Sequence, residues 1–507
     1  MPNLTPDEAT AVAADLFKVR NAEYAELKEL HEYAEGEATG VYMPSDARDE
    51  YRWIAQQARV PIIPKMVSEH VASLFVEGYR GANEDDNLPA WVDHWQANRM
   101  DARQTGVHKA ALDYGYSFVR VLPGDTAPAW APFSPRDMTA VYGDAINDEW
   151  PEYALSVRKA GKGLELRLDA PEWSYLFDAK NADAKPVYRE AMEHGVPWTP
   201  VVRFVAGYDL DGNTQGLVEP LIELQNQINL TTLNGLVAQV FGAFRQKWAT
   251  GIDVPLDEQG RPVEPYKAAV QRLWIGEGEA AKFGDFSATD LAGYLSFRED
   301  TIRLASTVGN VPPHTVLGAL ANLSAESLAA AEVSKTRFED VLRILFGEAW
   351  ESCFRLSRYI AGDAGAVDDT AAEVVWRDTE ARSWSQMVDA AVKLRSIGFP
   401  MSYIADRLGV SPQALPDLLA AIEAEQQGAA VAQAQAFGVI PTGADTTDVS
   451  GSDAADVKSK ADALGVLIRA GVDPENAAAQ VGLDVDFTGA VPVSLRQPAS
   501  AAATLEG

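Results

Sequence analysis

The chain has 507 residues, 47% of them hydrophobic, which is enough for several packed cores. Its 43 basic and 74 acidic residues give a net charge of -31, so a basic surface that grips nucleic acid is not expected. The single cysteine, Cys353, excludes an internal disulfide, and its helical surroundings favour an inert core thiol. Neither a secretory signal nor an apolar run of spanning length is found. We therefore expect a soluble, intracellular protein without a membrane segment.

The first part of the chain, up to about residue 115, is predicted to be mainly helical. The sequence TPDE at 5–8 indicates a helix start, with a threonine cap, proline at the first helical position and a glutamate that reaches back to the cap. This helix is expected to end near Tyr33. Further helices are predicted over 65–76, around the tryptophans of WVDHW, and over 101–114.

Between about residues 116 and 207 the hydrophobic period changes to two, which predicts an antiparallel meander. The predicted strands are Tyr116–Leu122, Asp137–Tyr142, Tyr153–Arg158, Leu164–Leu168, Trp173–Phe177 and Val201–Val205. The acidic sequence DLDGN at 209–213 is interpreted as a turn, because the glycine and glutamate of a calcium-binding EF-hand loop are not at the required offsets.

The segment Gly216–Gly251 combines helical periodicity with a near absence of charge. Two apolar stripes run along the same helix, so protein should cover more than one side. Its six amides exclude a lipid-facing helix. The amides are Gln225, Asn226, Gln227, Asn229, Asn234 and Gln239. Such a helix is either the buried centre of a large domain or a contact between copies of the chain.

The rest of the chain alternates helices with punctuated segments. A Gly- and Pro-rich stretch, 250–287, precedes a helix over 291–308 and an almost uncharged loop, GNVPPHTVLGALANLS. A long helix is predicted from Ala325 to about Ala361, followed by a strand, EVVWR, at 373–377. A repeat then appears at a constant offset of 73 residues, in which Asp389, Leu394, Gly398, Ala405 and Gly409 correspond to Asp462, Leu467, Gly471, Ala478 and Gly482. Each copy predicts a short helical hairpin.

Motifs for catalysis are scarce. There is no Walker-type phosphate loop, and the six histidines show no metal-ligand spacing, so each is predicted to be a surface or satisfied core residue. No carboxylate pair is singled out by its spacing. The segment Tyr403–Leu415 resembles a helix-turn-helix, but its second helix is acidic and lacks lysine and arginine, which favours a bundle hairpin. No catalytic residue, cofactor or metal is predicted.

Four blocks, in their order and spacing, resemble the portal proteins of long-tailed, double-stranded DNA bacteriophages. These blocks are VPIIPKMVSEHVASLFVEGYR, HKAALDYGYSFVRV, EPLIELQNQINLTTLNG, and GNVPPHTVLGALANLSAESL leading to a helix that ends near FGEAWESCFRL. The following segment, WRDTEARSWSQMVDAAVKLRSIGFP, adds to the likeness, which covers about Pro61 to Leu419. Such proteins form the ring at one capsid vertex through which DNA enters and leaves.

The resemblance implies an α+β, predominantly helical subunit. Its expected parts are a wing (1–215, with antiparallel strands from about 116), a first stem helix (216–247), a clip (248–287), a second stem helix (288–308), a tunnel loop (309–324), a long wing helix and return strand (325–383), a helical crown (384–428), and a linker and tail with a second helical hairpin (429–507). Stem helices in a ring touch neighbours on both sides. This favours contact between copies as the reason for the uncharged helix, whose amides would then be polar groups at subunit seams or towards the channel.

The resemblance also implies site residues and partners. The tunnel loop would place along the DNA channel Val311, Pro312, Pro313, His314 and Asn322. The first stem helix would contribute to the ring interface Leu221, Leu224, Ile228, Leu233, Val237, Phe241 and Phe244. The implied partners are copies of the chain, with twelve as the family's usual number, DNA passing without sequence specificity, the terminase motor, major capsid and scaffolding proteins, and head-completion proteins. The expected location is the portal vertex of the virion, with the host cytoplasm during assembly.

Two other classes remain open from the residues alone. An acidic α+β hydrolase or nuclease would need a carboxylate pair that the spacing does not identify. A DNA-binding regulator would use Tyr403–Leu415, which the acidity disfavours.

Overall fold

A computed structural model provides the structure of the chain. It describes residues 3–38, 40–46, 49–81, 87–243, 247–250, 259, 282–285, 291–318, 325–377, 384–411, 413–436 and short stretches between 459 and 482. The chain divides into two compact units, Met1–Ala381 and Arg382–Gly507. Among the described helices, none is both long and apolar enough to cross a membrane.

Helices dominate the described residues. The helices of the first unit are α1 (Pro6–Ala34), α2 (Asp49–Gln57), α3 (Ile63–Val71), α4 (Asn87–Ala90), α5 (Met100–Tyr114), α6 (Ile222–Ala243), α7 (Ala292–Val308), α8 (Pro313–Leu317) and α9 (Ala325–Ile360). A π-helical turn (Trp91–Gln96) and 3-10 turns (Glu219–Leu221 and Ala364–Asp368) supplement them. The second unit contains α10 (Trp384–Ser396), α11 (Met401–Arg407), α12 (Leu415–Ala436) and α13 (Pro474–Val481).

All strand pairs described in the first unit are antiparallel. The strands are β1 (Val76–Arg80), β2 (Tyr116–Leu122), β3 (Ala129–Phe133), β4 (Met138–Val141), β5 (Tyr153–Ala160), β6 (Gly163–Asp169), β7 (Trp173–Ala179), β8 (Val187–Glu193), β9 (Val201–Val205), β10 (Lys247–Thr250), β11 (Lys282–Asp285) and β12 (Glu373–Trp376). They form four sheets, ordered β1-β12, β10-β11, β3-β2-β9 and β4-β5-β6-β7-β8. The predicted meander therefore exists, with β3 and β8 as additions.

Helix α1 begins as its sequence predicts and covers the five-stranded sheet. The backbone N–H of Thr5 donates to Glu8 Oε2 at 2.8 Å, and Thr5 Oγ1 accepts from the N–H of Glu8 at 3.4 Å, which forms the capping box. Leu16 and Phe17 on the helix pack in one cluster with side chains of the sheet, including Tyr175. This packing closes one face of the meander.

The main core lies around the second half of α9. Its middle residues are buried among the first-unit elements, and α9 contacts β2, β9, β12 and the π-helical turn. Trp95 packs edge-on against Trp350 with ring centroids 5.0 Å apart, and Trp130 Nε1 donates to Ser357 Oγ at 2.9 Å. Cys353 is a buried free thiol, as predicted. The long helix therefore fills the core over its second half.

In the second unit the sequence repeat has matching backbone geometry. Helix α13 begins 73 residues after α11, and Gly409 and Gly482, at equivalent positions, both adopt left-handed conformations with φ of 81° and 70°. A helix that ends on a left-handed glycine satisfies its last carbonyl groups through the glycine's own N–H and the next one. Helix α12 continues to Ala436, so it extends beyond the expected crown boundary at 428.

Candidate functional site

Helix α6 is held against the N-terminal part of the chain by buried amides. Gln225 Oε1 accepts from the N–H of Ile62 at 3.1 Å, and its Nε2 donates to the carbonyl of Val60 at 2.8 Å. Asn229 Oδ1 accepts from the N–H of Val60 at 3.1 Å and from Gln225 Nε2 at 2.9 Å. The chain leading into α3 is extended here. The two amides therefore supply the hydrogen bonds that regular structure would otherwise provide.

A third amide of α6 also forms a hydrogen bond within the chain. Tyr33 Oη, at the end of α1, donates to Asn226 Oδ1 at 2.7 Å. Gly40 passes so close to this amide that a Cβ there would lie 1.7 Å from Asn226 Oδ1, and its φ of +59° also favours glycine. Amides 225, 226 and 229 are thus committed to intramolecular bonds, which corrects their expected place at subunit seams. Gln227, Asn234 and Gln239 remain exposed.

Both apolar sides of α6 are covered in part by the same chain, although Leu230 is 46% exposed. Contacts near Gly235 and Tyr294, and near Gly309 and Leu221, show that α7 runs antiparallel along one side. On the other side Leu233 joins the buried cluster formed by Ile54, Ala55 and Ala58, which belong to α2 and the residue after it. The two apolar stripes therefore do not by themselves require contact with neighbouring copies.

The seven residues expected at the ring interface fall into three groups. Leu221 and Ile228 are buried in the main core, and Leu233 in the α2 cluster. These three side chains are covered within the chain, and their place at a ring interface stays a prediction. Leu224 and Val237 are partly buried and pack against the same clusters. The side chain of Phe241 and the whole of Phe244 lie outside the described residues.

The segment after α7, which was predicted as a loop, is a hydrogen-bonded turn with buried residues, followed by the short helix α8. Asn310, with φ of 52°, ends the helix, and the N–H of Val311 donates to Ser306 O at 2.9 Å. Val311 and Pro312 are buried in the chain, and their expected place along a channel stays a prediction. Pro313 is exposed at the start of α8. His314 is half-buried, with Nε2 3.5 Å from Glu332 Oε1, and Asn322 lies outside the described residues.

A buried polar contact that the sequence did not reveal fixes the end of α7. His70, on α3, lies with Nε2 2.8 Å from the carbonyl oxygen of Gly309 and Nδ1 3.2 Å from Glu339 Oε1 on α9. Lys335 Nζ is 3.8 Å from the same carboxylate oxygen. The carbonyl at the helix end is therefore paired inside the protein, and α3, α7 and α9 meet at one imidazole. No local pattern marks His70 as different from the other histidines.

Two ionisable groups on or beside α9, the buried His108 and the half-buried Glu351, have strongly shifted pKa values. Burial lowers the pKa of His108 to about 3, although its Nδ1 lies 3.1 Å from the carbonyl of Leu74. Burial raises the pKa of Glu351 to about 7, which the N–H of Val374 partly offsets. His108 Nε2 accepts from Trp350 Nε1 at 2.9 Å, so it is a satisfied core histidine as predicted.

The described part of the chain contains no group of three or more His, Cys, Asp or Glu residues placed to hold a metal ion. A cavity of about 290 Å³ is lined by His194 and Tyr359, among others. The His194 Nε2 atom is 3.0 Å from the carbonyl of Ala170. A second open cavity, of about 490 Å³, lies between Asn310 and α9 and includes Phe338.

The architecture defines a class of protein. Two antiparallel helices, α6 and α7, flank an insertion, and a proline-started turn leads from them to a 36-residue helix that enters the core. A family model described as "Phage portal protein, SPP1 Gp6-like" matches residues 14–427. The chain therefore belongs to this family of phage portal proteins, which are structural proteins that form the channel at a capsid vertex.

Individual relatives are distant. The chain is 24% identical over 393 residues to the portal protein of Mycobacterium phage L5, covering 71% of this chain and 76% of the relative. It is 26% identical over 343 residues to the portal protein of Mycobacterium phage D29, covering 64% and 70%. Two solved structures are also similar. They are titled the virion of a native gene transfer agent particle (12% identity, TM-score 0.41, covering 73% of this chain and 96% of that one) and the neck of such a particle computed with C12 symmetry (13%, 0.42, 74% and 97%).

Proposed function

We propose that twelve copies of this chain assemble into a ring whose central channel carries double-stranded DNA during packaging and ejection. The observation that carries this proposal is the family match over residues 14–427, since it includes α6, α7, the turn after them and the long helix. A ring of identical subunits uses two different surfaces of each copy, and a single chain can supply both. The chain acts as a conduit and not as an enzyme.

The parts of the subunit are assigned on the same basis. We propose the wing as 1–215, the stem helices as 216–247 and 288–308, the clip as 248–287 and the tunnel loop as 309–324. The long wing helix with its return strand would be 325–383, and the crown 384–428, followed by the tail. Two features support this division. Helix α7 packs antiparallel to α6, and the β1-β12 pair returns the chain after α9 to the N-terminal part.

Within the tunnel loop, we propose that the residues from Pro313 onward face the channel, because Val311 and Pro312 are covered within the chain. Pro313 is exposed, His314 is half-buried, and Asn322 is retained as a proposal. The acidic composition suits passage of DNA. Twelve copies would carry twelve times -31, or -372, charges. A wall without clustered lysine or arginine releases few counterions from DNA, so it would not hold the duplex tightly.

The proposed partners follow from this role. The ring would sit in the portal vertex of the virion, bind the major capsid and scaffolding proteins during assembly in the host cytoplasm, and dock the ATP-driven terminase. Head-completion proteins would bind at the clip after packaging. No cofactor is required for a passive channel.

Electron microscopy of the purified full-length chain tests the proposal. We expect ring-shaped particles with a central channel and, in class averages viewed along the axis, twelvefold symmetry. A monomer, or a compact dimer without a channel, under all conditions that keep the chain folded would refute the proposed function. A ring of another symmetry would refute only the copy number.

A further inference from the structure

Helix α9 carries an apolar stripe on the side that faces away from the core. Val333, Val341 and Ile344 are 42%, 54% and 66% exposed, and their spacing of eight and three residues places them on one face. Leu342 and Phe346, on the opposite face, are fully buried. Exposure of aliphatic side chains to water is unfavourable, and three of them on one stripe indicate a surface that another protein covers.

A cation lies within the α9 stripe. Arg337 is exposed, and its position, four residues from Val333 and four from Val341, places it between these two side chains. Among the described residues Arg337 forms no ion pair, whereas the nearby Arg343 pairs with Asp340 at 3.0 Å. The α9 stripe thus consists of Val333, Arg337, Val341 and Ile344.

Helix α7 carries a second stripe, of opposite charge. Phe297, Leu304 and Val308 are 55%, 54% and 39% exposed and lie on one side of the helix. Ile302 and Ala305, which are buried, lie on another side of it. Asp300 is placed between Phe297 and Leu304, and its carboxylate is 66% exposed. Its only ion pair among the described residues joins it to Arg303, itself 57% exposed, at 3.3 Å. Such an exposed pair contributes little and can exchange for a better partner.

The two stripes match in length and in the place of their charges. Each extends over twelve residues, from 297 to 308 and from 333 to 344, which is about 17 Å of helix. If the two helices are aligned in parallel with Phe297 beside Val333, the charge comes three residues later in one stripe and four residues later in the other. Asp300 and Arg337 are then within about one helical rise of each other.

We infer that the α9 stripe of one copy packs against the α7 stripe of the next copy, with Arg337 paired to Asp300 across the interface. This inference rests on the proposed ring. A second copy is the favoured occupant because the chain itself provides both halves, apolar to apolar and cation to anion. Two different surfaces that complement each other form a heterologous contact, which is the kind that closes into a ring.

Charge reversal tests the pairing. Arg337→Glu and Asp300→Lys each place like charges together, and we expect each to raise the protein concentration at which half the chains are in rings by at least about tenfold. The double variant restores the pair in reverse and should recover most of that loss. Lys28→Glu, on an exposed side chain of α1, is the matched control. Mass photometry across a concentration series measures the ring fraction, and circular dichroism confirms folding.

An effect of net charge alone, without pairing of Arg337 with Asp300, would give a different pattern of ring formation. Asp300→Lys makes an acidic chain less acidic, so if only overall repulsion mattered it would strengthen assembly, and Arg337→Glu and Lys28→Glu would weaken it equally. Ile344→Asp tests the apolar part, with Val19→Asp, also exposed, as its control. Rings unaffected by either charge reversal, or a double variant no better than the singles, would overturn the inference while the proposed function stands. Absence of rings from the unmodified chain would instead refute the proposed function, and this inference with it.

Discussion

Removal of the Gln225 amide distinguishes a role inside the subunit from one between subunits. Gln225→Leu keeps a helix-forming side chain of similar size but removes the bonds to Val60 O, Ile62 N–H and Asn229. Each buried polar group left without a partner costs about 1–3 kcal/mol, and some of this is recovered as the site relaxes. We expect the free energy of unfolding to fall by about 2–5 kcal/mol.

Gln227→Leu is the matched control because Gln227 is an exposed amide two residues along the same helix. We expect its effect to stay within about 0.5 kcal/mol. Urea unfolding followed by tryptophan fluorescence, at a concentration where light scattering shows single chains, gives both values. If Gln225→Leu is as stable as the control but no longer forms rings, the amide acts at a subunit seam and the intramolecular assignment is wrong.

Three further predictions concern ionisable side chains with little or no solvent exposure. The pKa of His108 is about 3 in the folded chain and about 6.5 in the unfolded chain. Its contribution to the free energy of unfolding is therefore complete above pH 6.5, and about 3 kcal/mol of it is lost by pH 4.5. The free energy of unfolding of His108→Gln, measured against pH, should fall less steeply on the acid side. Glu351, with a pKa of about 7, has the opposite pH dependence. Its contribution to the free energy of unfolding is present below pH 4.5 and is lost as pH rises through 7. In the same assay at pH 8, Glu351→Gln should therefore be more stable than the unmodified chain by about 1–2 kcal/mol, after a discount for solvent screening. Asp169→Asn should lower the midpoint of thermal unfolding at pH 7, since it weakens the partner of the buried Arg120 at a cost of about 3–5 kcal/mol, whereas an unchanged midpoint would contradict the ion pair's role.

Local signals in the sequence predicted much of the fold. The capping box at Thr5, the period-two strands from 116 to 205 and the extents of α7 and α9 are all determined by neighbouring residues, and the structure confirms them. The π-helical turn around Trp91 was not predicted, because its extra residue per turn is imposed by the tryptophan packing of the core. The elements that bury α9 were not predicted either, since a periodic stripe shows that a helix is covered but does not show by which element.

The candidate site was harder to predict for the same reason. The neutral stripes on α6 correctly indicated that protein covers two sides, but the covering helix, α2, precedes α6 by about 170 residues and carries no signal that links the two. His70 was likewise indistinguishable from the other histidines until α3, α7 and α9 were brought together. The resemblance placed Val311 in the channel, yet an uncharged residue that precedes two prolines is equally suited to the buried turn in which it lies.

The covering of α6 changes which surfaces remain for assembly and for DNA. Since its apolar sides pack on α2 and α7, three of the five exposed side chains described on α6 are amides, Gln227, Asn234 and Gln239, beside Glu223 and Leu230. Uncharged amides neither attract nor repel phosphate strongly, so we propose this face for the channel rather than for the seams. The seams then require apolar surface from elsewhere, and among the described elements of the first unit α7 and α9 present it in stripes of equal length and opposite charge.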